Sequence, residues 1–278
     1  MFDILIHRWL RVPYALHTHV VVSEIKPIAT VLFIHGIGNS GQVWNPVIEK
    51  LPKDIRVVTI DLLGFGKSPR PSWVVYSAQT QARSVLATYF RLRLRGQVII
   101  VGHSLGSLVA VEIAKRYPLL VRSLILCSPP FYQLYEDEKR LLPRSDKILK
   151  TIYKTAQKHP ERFLQVAAIA MRYKLINAIF SVTKENIDSY MGALEATIIN
   201  QTSFADAKKL RLPIEIIHGT LDPVVVVRNL KQLERERSNV ALTQVVASHE
   251  IKGFFITATV RAIEWACERD QKTVNKNT

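Results

Sequence analysis

The sequence has little cysteine and no long apolar run. Its two thiols, Cys127 and Cys267, supply neither a disulfide framework nor the ligands of a zinc site. With only 11 glycines and 13 prolines among 278 residues, collagen-like and low-complexity chains are excluded. Apolar residues make up 48% of the chain, which is enough to build the core of an ordinary globular domain.

No uninterrupted apolar stretch reaches the roughly 18 residues that a membrane-spanning helix needs. The first residues are apolar, but they include Asp3 where a secretory leader has positive charge, and His7 and Arg8 break the run. We therefore expect a cytoplasmic protein without a membrane span, present as a monomer or a homodimer.

Lysine and arginine exceed aspartate and glutamate by 38 − 23 = +15 charges. This excess predicts weak association with anionic surfaces. The basic residues are spread along the chain, and no motif of specific nucleic-acid binding is present. One basic stripe at helical spacing is expected to be the solvated face of a helix, with a lipid-facing lid as the alternative. It consists of Lys147, Lys150, Lys154 and Lys158. The apolar block 163–180 is expected either to cover an acyl pocket or to pack a cap against the core, and the sequence does not decide between these alternatives.

Short apolar runs that indicate buried strands alternate with segments of helical period. The predicted strands are Val20–Ser23, Thr30–His35, Ile55–Ile60, Gln97–Gly102, Val121–Cys127, Ile214–His218 and Ala241–Val246. The predicted helices are Gln79–Leu94, Leu105–Tyr117, Val224–Arg237 and a last one to about Glu268, before a polar tail. This alternation predicts an α/β fold, a mostly parallel central sheet with helices on both faces. From 133 to 207 only helical spacing is found. We therefore expect a helical cap at 133–207, inserted in a core formed by 1–132 and 208–278.

The strongest chemical signal is Gly102-His103-Ser104-Leu105-Gly106, placed between a predicted strand and a predicted helix. A sharp turn there exposes the serine hydroxyl above the sheet, and the flanking glycines allow the close backbone approach. The amides at the start of the helix would face the reacting oxygen. The flanking strand and helix favour this interpretation over a glycine-flanked surface serine.

A serine hydroxyl needs a base, and in this arrangement the chain order is serine, acid, histidine. Of the histidines after Ser104, His159 lies in the helical block and His218 precedes the candidate acid, so His249 is the predicted base. The predicted acid is Asp222, which follows a strand and would stabilise the imidazolium. The alternative for Asp222 is a helix N-cap before Pro223.

These pieces together resemble the α/β-hydrolase fold serine hydrolase family, over most of the chain. The resemblance is carried by His35-Gly36-Ile37-Gly38, the turn Asp61–Ser68, the Gly102–Gly106 segment, Asp222 and His249. It implies an oxyanion hole made by the backbone amides of Ile37 and Leu105, and a structural role for the Asp61 turn. Ser248 stands where many relatives have glycine before the histidine.

The resemblance implies hydrolysis of a small or medium carboxylic ester through an acyl-enzyme, with no metal or organic cofactor. A carbon–carbon bond hydrolase or a cofactor-free oxidoreductase is the alternative, because relatives reuse the same triad for both. A non-enzymatic binder on the same scaffold is disfavoured, since it needs no base and acid in this order.

A dinucleotide-binding protein is a minor alternative. Residues 36–41 read Gly-x-Gly-x-x-Gly after a strand, and Asp61 follows Gly41 at the spacing of a ribose ligand. However, Asn45 and Pro46 predict a helix that starts after the glycines, which makes the turn longer than that site requires.

Overall fold

The computed structural model describes residues 4–21, 27–94, 96–132, 158 and 185–274, without the side chains of 21 and 269–274. Within these residues seven strands form one sheet. The strands are β1 Thr18–Val21, β2 Ala29–Ile34, β3 Ile55–Ile60, β4 Val98–His103, β5 Val121–Cys127, β6 Ile214–Gly219 and β7 Val240–Val245. Each predicted strand overlaps one of them.

The sheet runs in the order β1-β3-β2-β4-β5-β6-β7. Strands β2 to β7 are parallel, so their carboxyl ends all meet at one edge, here called the carboxyl edge. Strand β1 is antiparallel to β3 and pairs Thr18 with Ile60. The chain therefore enters β1 at the same carboxyl edge. In open parallel sheets this edge is where ligands bind.

Helices connect the parallel strands and cover both faces of the sheet. They are α1 Asn45–Ile48, α2 Ala78–Arg91, α3 Leu105–Arg116, α4 Ile187–Ala193, α5 Ser203–Ala207, α6 Val227–Glu236 and α7 Phe254–Val274. Two π-helical segments, Ile4–Trp9 and Leu194–Ile199, and a 3-10 turn at Gly41–Trp44 are the remaining elements of the described residues. Helix α2 begins where the sequence predicts, because Ser77 caps it by accepting a hydrogen bond from the Thr80 amide. None of the helices in the described part of the chain combines the length and apolarity needed to cross a bilayer.

The central strands are buried on both faces, which is why they appear in the sequence as continuous apolar runs. In β2, Leu32 and Ile34 pack with helices α2, α3 and α6 on one face. Val31 and Phe33 pack with α1 and α7 on the other. Alternation with a period of two therefore divides each strand between two apolar layers.

Two predictions need correction, and three remain open. Phe90 continues the apolar helical spacing of Val85, Leu86 and Tyr89, which predicts burial, but it is 55% exposed while those three are buried. The last helix continues to Val274, through part of the segment expected to be a frayed tail. Residues 185–207 are largely helical, as expected for the end of the cap. The division into core and cap stays a prediction. The apolar block 163–180 and the lysines of the basic stripe lie outside the described residues, apart from Lys158.

Candidate active site

Ser104 stands on a strained turn between β4 and α3. Its backbone has φ 51° and ψ −117°, a conformation that residues other than glycine rarely adopt. A side chain on Gly102 would lie 2.7 Å from the carbonyl carbon of Gly106, and one on Gly106 would lie 2.6 Å from the carbonyl oxygen of His35. Both positions therefore require glycine. The strand–turn–helix that the sequence predicts around Ser104 is present.

Asp222 and His249 form a buried pair at the same carboxyl edge. Nδ1 of His249 donates to Oδ2 of Asp222 at 2.7 Å, and the side chains are 1% and 0% exposed. The other oxygen, Oδ1, accepts from the backbone amide of Val224 at 2.9 Å. Burial alone would raise the pKa of Asp222, but the hydrogen bonds from His249 and Val224 lower it below its usual range. The carboxylate therefore stays ionised beside the imidazole.

The N-cap interpretation of Asp222 is wrong. Helix α6 begins at Val227, and its N-cap position is Val226. The bond from Val224 belongs to a local turn, and it occupies only one carboxylate oxygen. The turn and the bond to His249 therefore coexist, because each uses a different oxygen.

His249 keeps one ring nitrogen available. Its Nε2 is buried and has no hydrogen-bond partner among the residues that the structure describes. The backbone of His249 is held by His103, whose Nε2 lies 2.8 Å from the carbonyl oxygen of residue 249. The two rings lie 4.9 Å apart between centroids. Since His103 immediately precedes Ser104, this contact places the serine turn beside the segment that carries His249, although no hydrogen bond joins Ser104 to Nε2.

His35 fixes the peptide between Gly36 and Ile37. Its Nδ1 donates to the carbonyl oxygen of Gly36 at 2.7 Å, and its Nε2 accepts from the amide of Leu62 at 2.9 Å. In a planar trans peptide the next N–H points away from that carbonyl, so the amide of Ile37 faces the opposite side. A side chain on Gly36 would come within 3.2 Å of Cβ of Ser104, so this peptide lies next to the serine. The amide of Leu105 is the first of α3 and lacks an intrahelical partner.

His35 and His103 are neutral at pH 7. Burial lowers the pKa of His35 to about 4. Burial, together with the neighbouring His249, lowers the pKa of His103 to about 3. Neutral rings suit their contacts, since Nε2 of His35 must accept a hydrogen bond.

The sequence motifs predict no separate role for His103, and they include His35 only as part of the segment His35-Gly36-Ile37-Gly38. A signal was available for both, because each flanks a residue already assigned to the site. The contacts themselves, with residues 249 and 62, join distant parts of the chain and could not be inferred from spacing.

The Asp61 turn is held by its own backbone. The carboxylate of Asp61 accepts from the amide of Gly41 at 2.6 Å and from the amide of Lys67 at 2.8 Å. The hydroxyl of Ser68 donates to the carbonyl oxygen of Asp61 at 2.6 Å. The separation of Gly41 and Asp61, which matched a dinucleotide motif, thus reflects an internal hydrogen bond. The dinucleotide-binding alternative therefore loses Asp61 as its ribose ligand, because both carboxylate oxygens are occupied. One detail was wrong: a helical turn already begins at Gly41, and the α-helix follows at Asn45.

A metal site is not indicated in the part of the chain that the structure describes. No group of three or more histidine, cysteine, aspartate or glutamate side chains there is placed to hold an ion. Cys127 is buried as predicted, and burial raises the pKa of its thiol to about 12.

Comparison with known proteins gives one family. A family model described as alpha/beta hydrolase fold matches residues 29–250. A probable lysophospholipase, BODYGUARD 5 of Arabidopsis thaliana, is 25% identical over 244 residues, which cover 75% of this chain and 55% of that protein. A second, BODYGUARD 4, is 32% identical over 124 residues, 41% of this chain and 30% of that protein. The chain therefore spans only 30% to 55% of the length of these curated relatives.

Solved structures of low sequence identity share the fold. An enol-lactonase from Burkholderia xenovorans superposes with a TM-score of 0.73 at 18% identity, covering 91% of this chain and 99% of that one. An esterase from Exiguobacterium antarcticum gives 0.71 at 15% identity, covering 91% and 95%. A meta-cleavage product hydrolase from Pseudomonas fluorescens gives 0.65 at 21% identity, covering 92% and 94%. The family match spans most of the chain and agrees with the observed sheet, so the chain belongs to the α/β-hydrolase fold family.

Proposed function

We propose that this hydrolase cleaves a small or medium carboxylic ester through an acyl-enzyme formed on Ser104. The observation that carries the proposal is the buried Asp222–His249 pair, whose ring nitrogen Nε2 is left without a partner in the described residues. It lies at the edge of the sheet where Ser104 occupies a strained turn. A histidine oriented by a carboxylate, with its second nitrogen free, is what a serine nucleophile needs as a base.

In the first step Ser104 Oγ attacks the carbonyl carbon of the ester while Nε2 of His249 takes the hydroxyl proton. The ionised Asp222 keeps the proton on Nδ1 and stabilises the imidazolium that forms. The step requires a hydrogen bond from Oγ to Nε2. Such catalytic bonds are often long before substrate binds, and tighten in the substrate complex.

The negative charge that develops on the carbonyl oxygen is stabilised by the amides of Ile37 and Leu105. His35 holds the first of these peptides in place through Gly36, and the start of α3 supplies the second. Fixed donors of this kind need no reorganisation during the reaction, and losing one costs on the order of a hundredfold in kcat.

The second half of the reaction uses the same groups. His249 returns its proton to the alcohol oxygen as the ester bond breaks, which leaves the acyl group on Ser104. His249 then takes a proton from water, whose oxygen attacks the acyl carbon, and the proton finally returns to Oγ of Ser104. The products are a carboxylic acid and an alcohol.

The names of several similar proteins support an ester substrate. Lysophospholipase, esterase and enol-lactonase all denote cleavage of an ester or lactone. The name of the meta-cleavage product hydrolase denotes a different substrate class. We favour the ester because most of the names agree, and because acyl transfer uses each group of the site.

A substrate panel tests the proposal. Nitrophenyl esters of increasing acyl length and a vinylogous diketone are assayed with the wild type, Ser104→Ala, His249→Ala and the control His19→Ala, which removes an exposed imidazole on β1. We expect kcat/KM for an ester to fall about 10⁴-fold or more in the two site variants and to stay unchanged in the control. Cleavage of the diketone alone, or ester cleavage that survives Ser104→Ala, would overturn the proposal.

A further inference from the structure

The amino-terminal segment exposes an unusual set of apolar side chains. Residues 4–12, here called the N-terminal patch, contain no side chain that is buried. Trp9 is 75% exposed and Leu10 is 66% exposed. The large apolar side chains of the patch that are exposed are Ile4, Leu5, Ile6, Trp9, Leu10 and Val12. Several large apolar side chains exposed along one short segment mark an interaction site more often than a scattered exposed leucine does.

The segment is fixed to the body of the protein, so its apolar side chains are held outward. The ring of His7 stacks on Tyr14 at 3.7 Å between centroids, and its Nδ1 donates to the carbonyl oxygen of Val12 at 2.7 Å. Tyr14 is buried, and the guanidinium of Arg83 on α2 donates to the carbonyl oxygen of Arg11. The backbone therefore has defined partners, while the apolar side chains of the patch stay exposed.

The charged side chains of the patch and of the cavity beside it are all basic among the residues that the structure describes. Arg8 and Arg11 are exposed within the patch. They line a cavity of about 220 Å³ together with Arg83 and the exposed Val75. Neither 4–21 nor 62–111 contains an aspartate or glutamate. The basic residues of these two stretches are Arg8, Arg11, Lys67, Arg70, Arg83, Arg91, Arg93 and Arg95. The partner that complements such a surface is apolar and negatively charged.

The patch lies at the carboxyl edge of the sheet. It leads into β1, whose first residue, Thr18, pairs with the last residue of β3, Ile60. The loop that leaves β3 at this edge carries Trp73 and Val75, which line the cavity beside the patch. Ser104 follows β4 at the same edge.

We infer that the N-terminal patch docks on the surface of an anionic lipid bilayer. Trp9 and Leu10 enter the interface, where amphipathic aromatic rings are favoured, and Arg8, Arg11 and Arg83 face the headgroups. Docking turns the edge that carries Ser104 toward the lipid. A second copy of the chain fits less well, because a two-fold contact through this surface would bring the arginines of both copies together.

Vesicle sedimentation tests this inference with the whole chain. The probes are vesicles of phosphatidylcholine and vesicles in which about a third of that lipid is replaced by phosphatidylglycerol. We expect the wild type to bind the anionic vesicles at least about tenfold more tightly, and added salt to weaken binding. Ser104→Ala is expected to bind as the wild type does, since docking does not depend on hydrolysis.

Two paired variants locate the surface. Trp9→Ser with Leu10→Ser, and Arg8→Gln with Arg11→Asn, are each expected to bind the anionic vesicles at least about tenfold more weakly. Asparagine suits position 11 because φ there is 54°. Thermal unfolding of each variant verifies that it is folded.

Two matched controls remove the same chemistry elsewhere and should bind like the wild type. Tyr117→Ser with Leu119→Ser removes exposed apolar side chains, at 43% and 88% exposure, from the opposite edge of the sheet. Lys231→Gln with Arg235→Gln removes two exposed charges from α6.

Three results would overturn the inference. The first is that the wild type does not bind anionic vesicles. The second is that the patch variants and the controls lose binding equally. The third is that the wild type is a dimer that binds no vesicles and that Trp9→Ser with Leu10→Ser converts to a monomer. None of these results bears on whether Ser104 is the nucleophile, which the ester panel decides.

Discussion

Two buried aspartates follow two parallel strands at the same edge of the sheet, and their surroundings differ in one respect. Asp61, after β3, accepts hydrogen bonds from two backbone amides, that of Gly41 at one carboxylate oxygen and that of Lys67 at the other. Asp222, after β6, gives one oxygen to the amide of Val224 and the other to the ring of His249. The first carboxylate holds a turn. The second also orients a group that can move a proton.

The histidines show the same contrast. Both ring nitrogens of His35 are used inside the protein, one as a donor to Gly36 and one as an acceptor from Leu62. His249 uses one nitrogen and keeps the other without a partner among the described residues. Both side chains are buried, and each histidine follows a strand of the sheet. Of these two rings, only that of His249 has hydrogen-bonding capacity that the described residues leave available.

The largest effect is expected when the two aspartates are changed in parallel. Asp222→Asn lets His249 take the wrong tautomer, so kcat for an ester should fall about 10⁴-fold with little change in fold. Asp61→Asn turns an amide N–H₂ toward a backbone N–H, which should cost about 1–3 kcal/mol of unfolding free energy. The measurements are kcat/KM per folded molecule and urea unfolding. An equal loss of activity in folded Asp61→Asn would erase the contrast.

A smaller effect is expected from alanine at the glycine beside each aspartate. A side chain at Gly66 would press on the carboxylate of Asp61, and one at Gly219 would lie 2.6 Å from the carbonyl oxygen of Ser248. Both variants should lose about 1–3 kcal/mol of unfolding free energy. Only Gly219→Ala should also lower kcat, by about a hundredfold, because it displaces the segment that carries His249. Equal kcat values in the two folded variants would contradict this.

Over a single pH unit, the smallest effect is the pH dependence of stability. The pKa values of His35 and His103 are lowered from 6.5 to about 4 and about 3, so the unfolded chain binds protons that the folded chain does not. The stability they contribute is complete above pH 6.5 and is lost as pH falls toward those values, by up to about 1.4 kcal/mol per pH unit for each histidine. Chemical unfolding at several pH values measures this slope. His103→Gln should make it shallower, and an unchanged slope would show that residue 103 does not contribute.

Much of the fold was predictable from sequence because its signals are local. Buried parallel strands appear as continuous apolar runs. The turn at Ser104 is indicated by Gly102 and Gly106, which the close backbone approach requires. Asp222 and His249 then followed as candidates from the order serine, acid, histidine that accompanies this turn. Their catalytic roles stay a proposal.

Other features depend on contacts between distant residues and could not be predicted in this way. The bond of His103 to the backbone of residue 249 is one of these. Another is the exposure of Phe90, whose helical position matched the buried face of α2 but whose side chain points to solvent. The third feature is the start of helix α6. Asp222 and Pro223 indicated that the helix begins there, but it begins at Val227. Periodicity and local propensity cannot report what packs against a given face.

The most direct test of the account is the rate at which a fluorophosphonate attaches to the protein, with the modified residue identified by mass spectrometry. The account predicts a single adduct on Ser104, formed at least about a hundredfold more slowly in His249→Ala because the serine loses its base. An adduct on another residue, or an unchanged rate in His249→Ala, would contradict it.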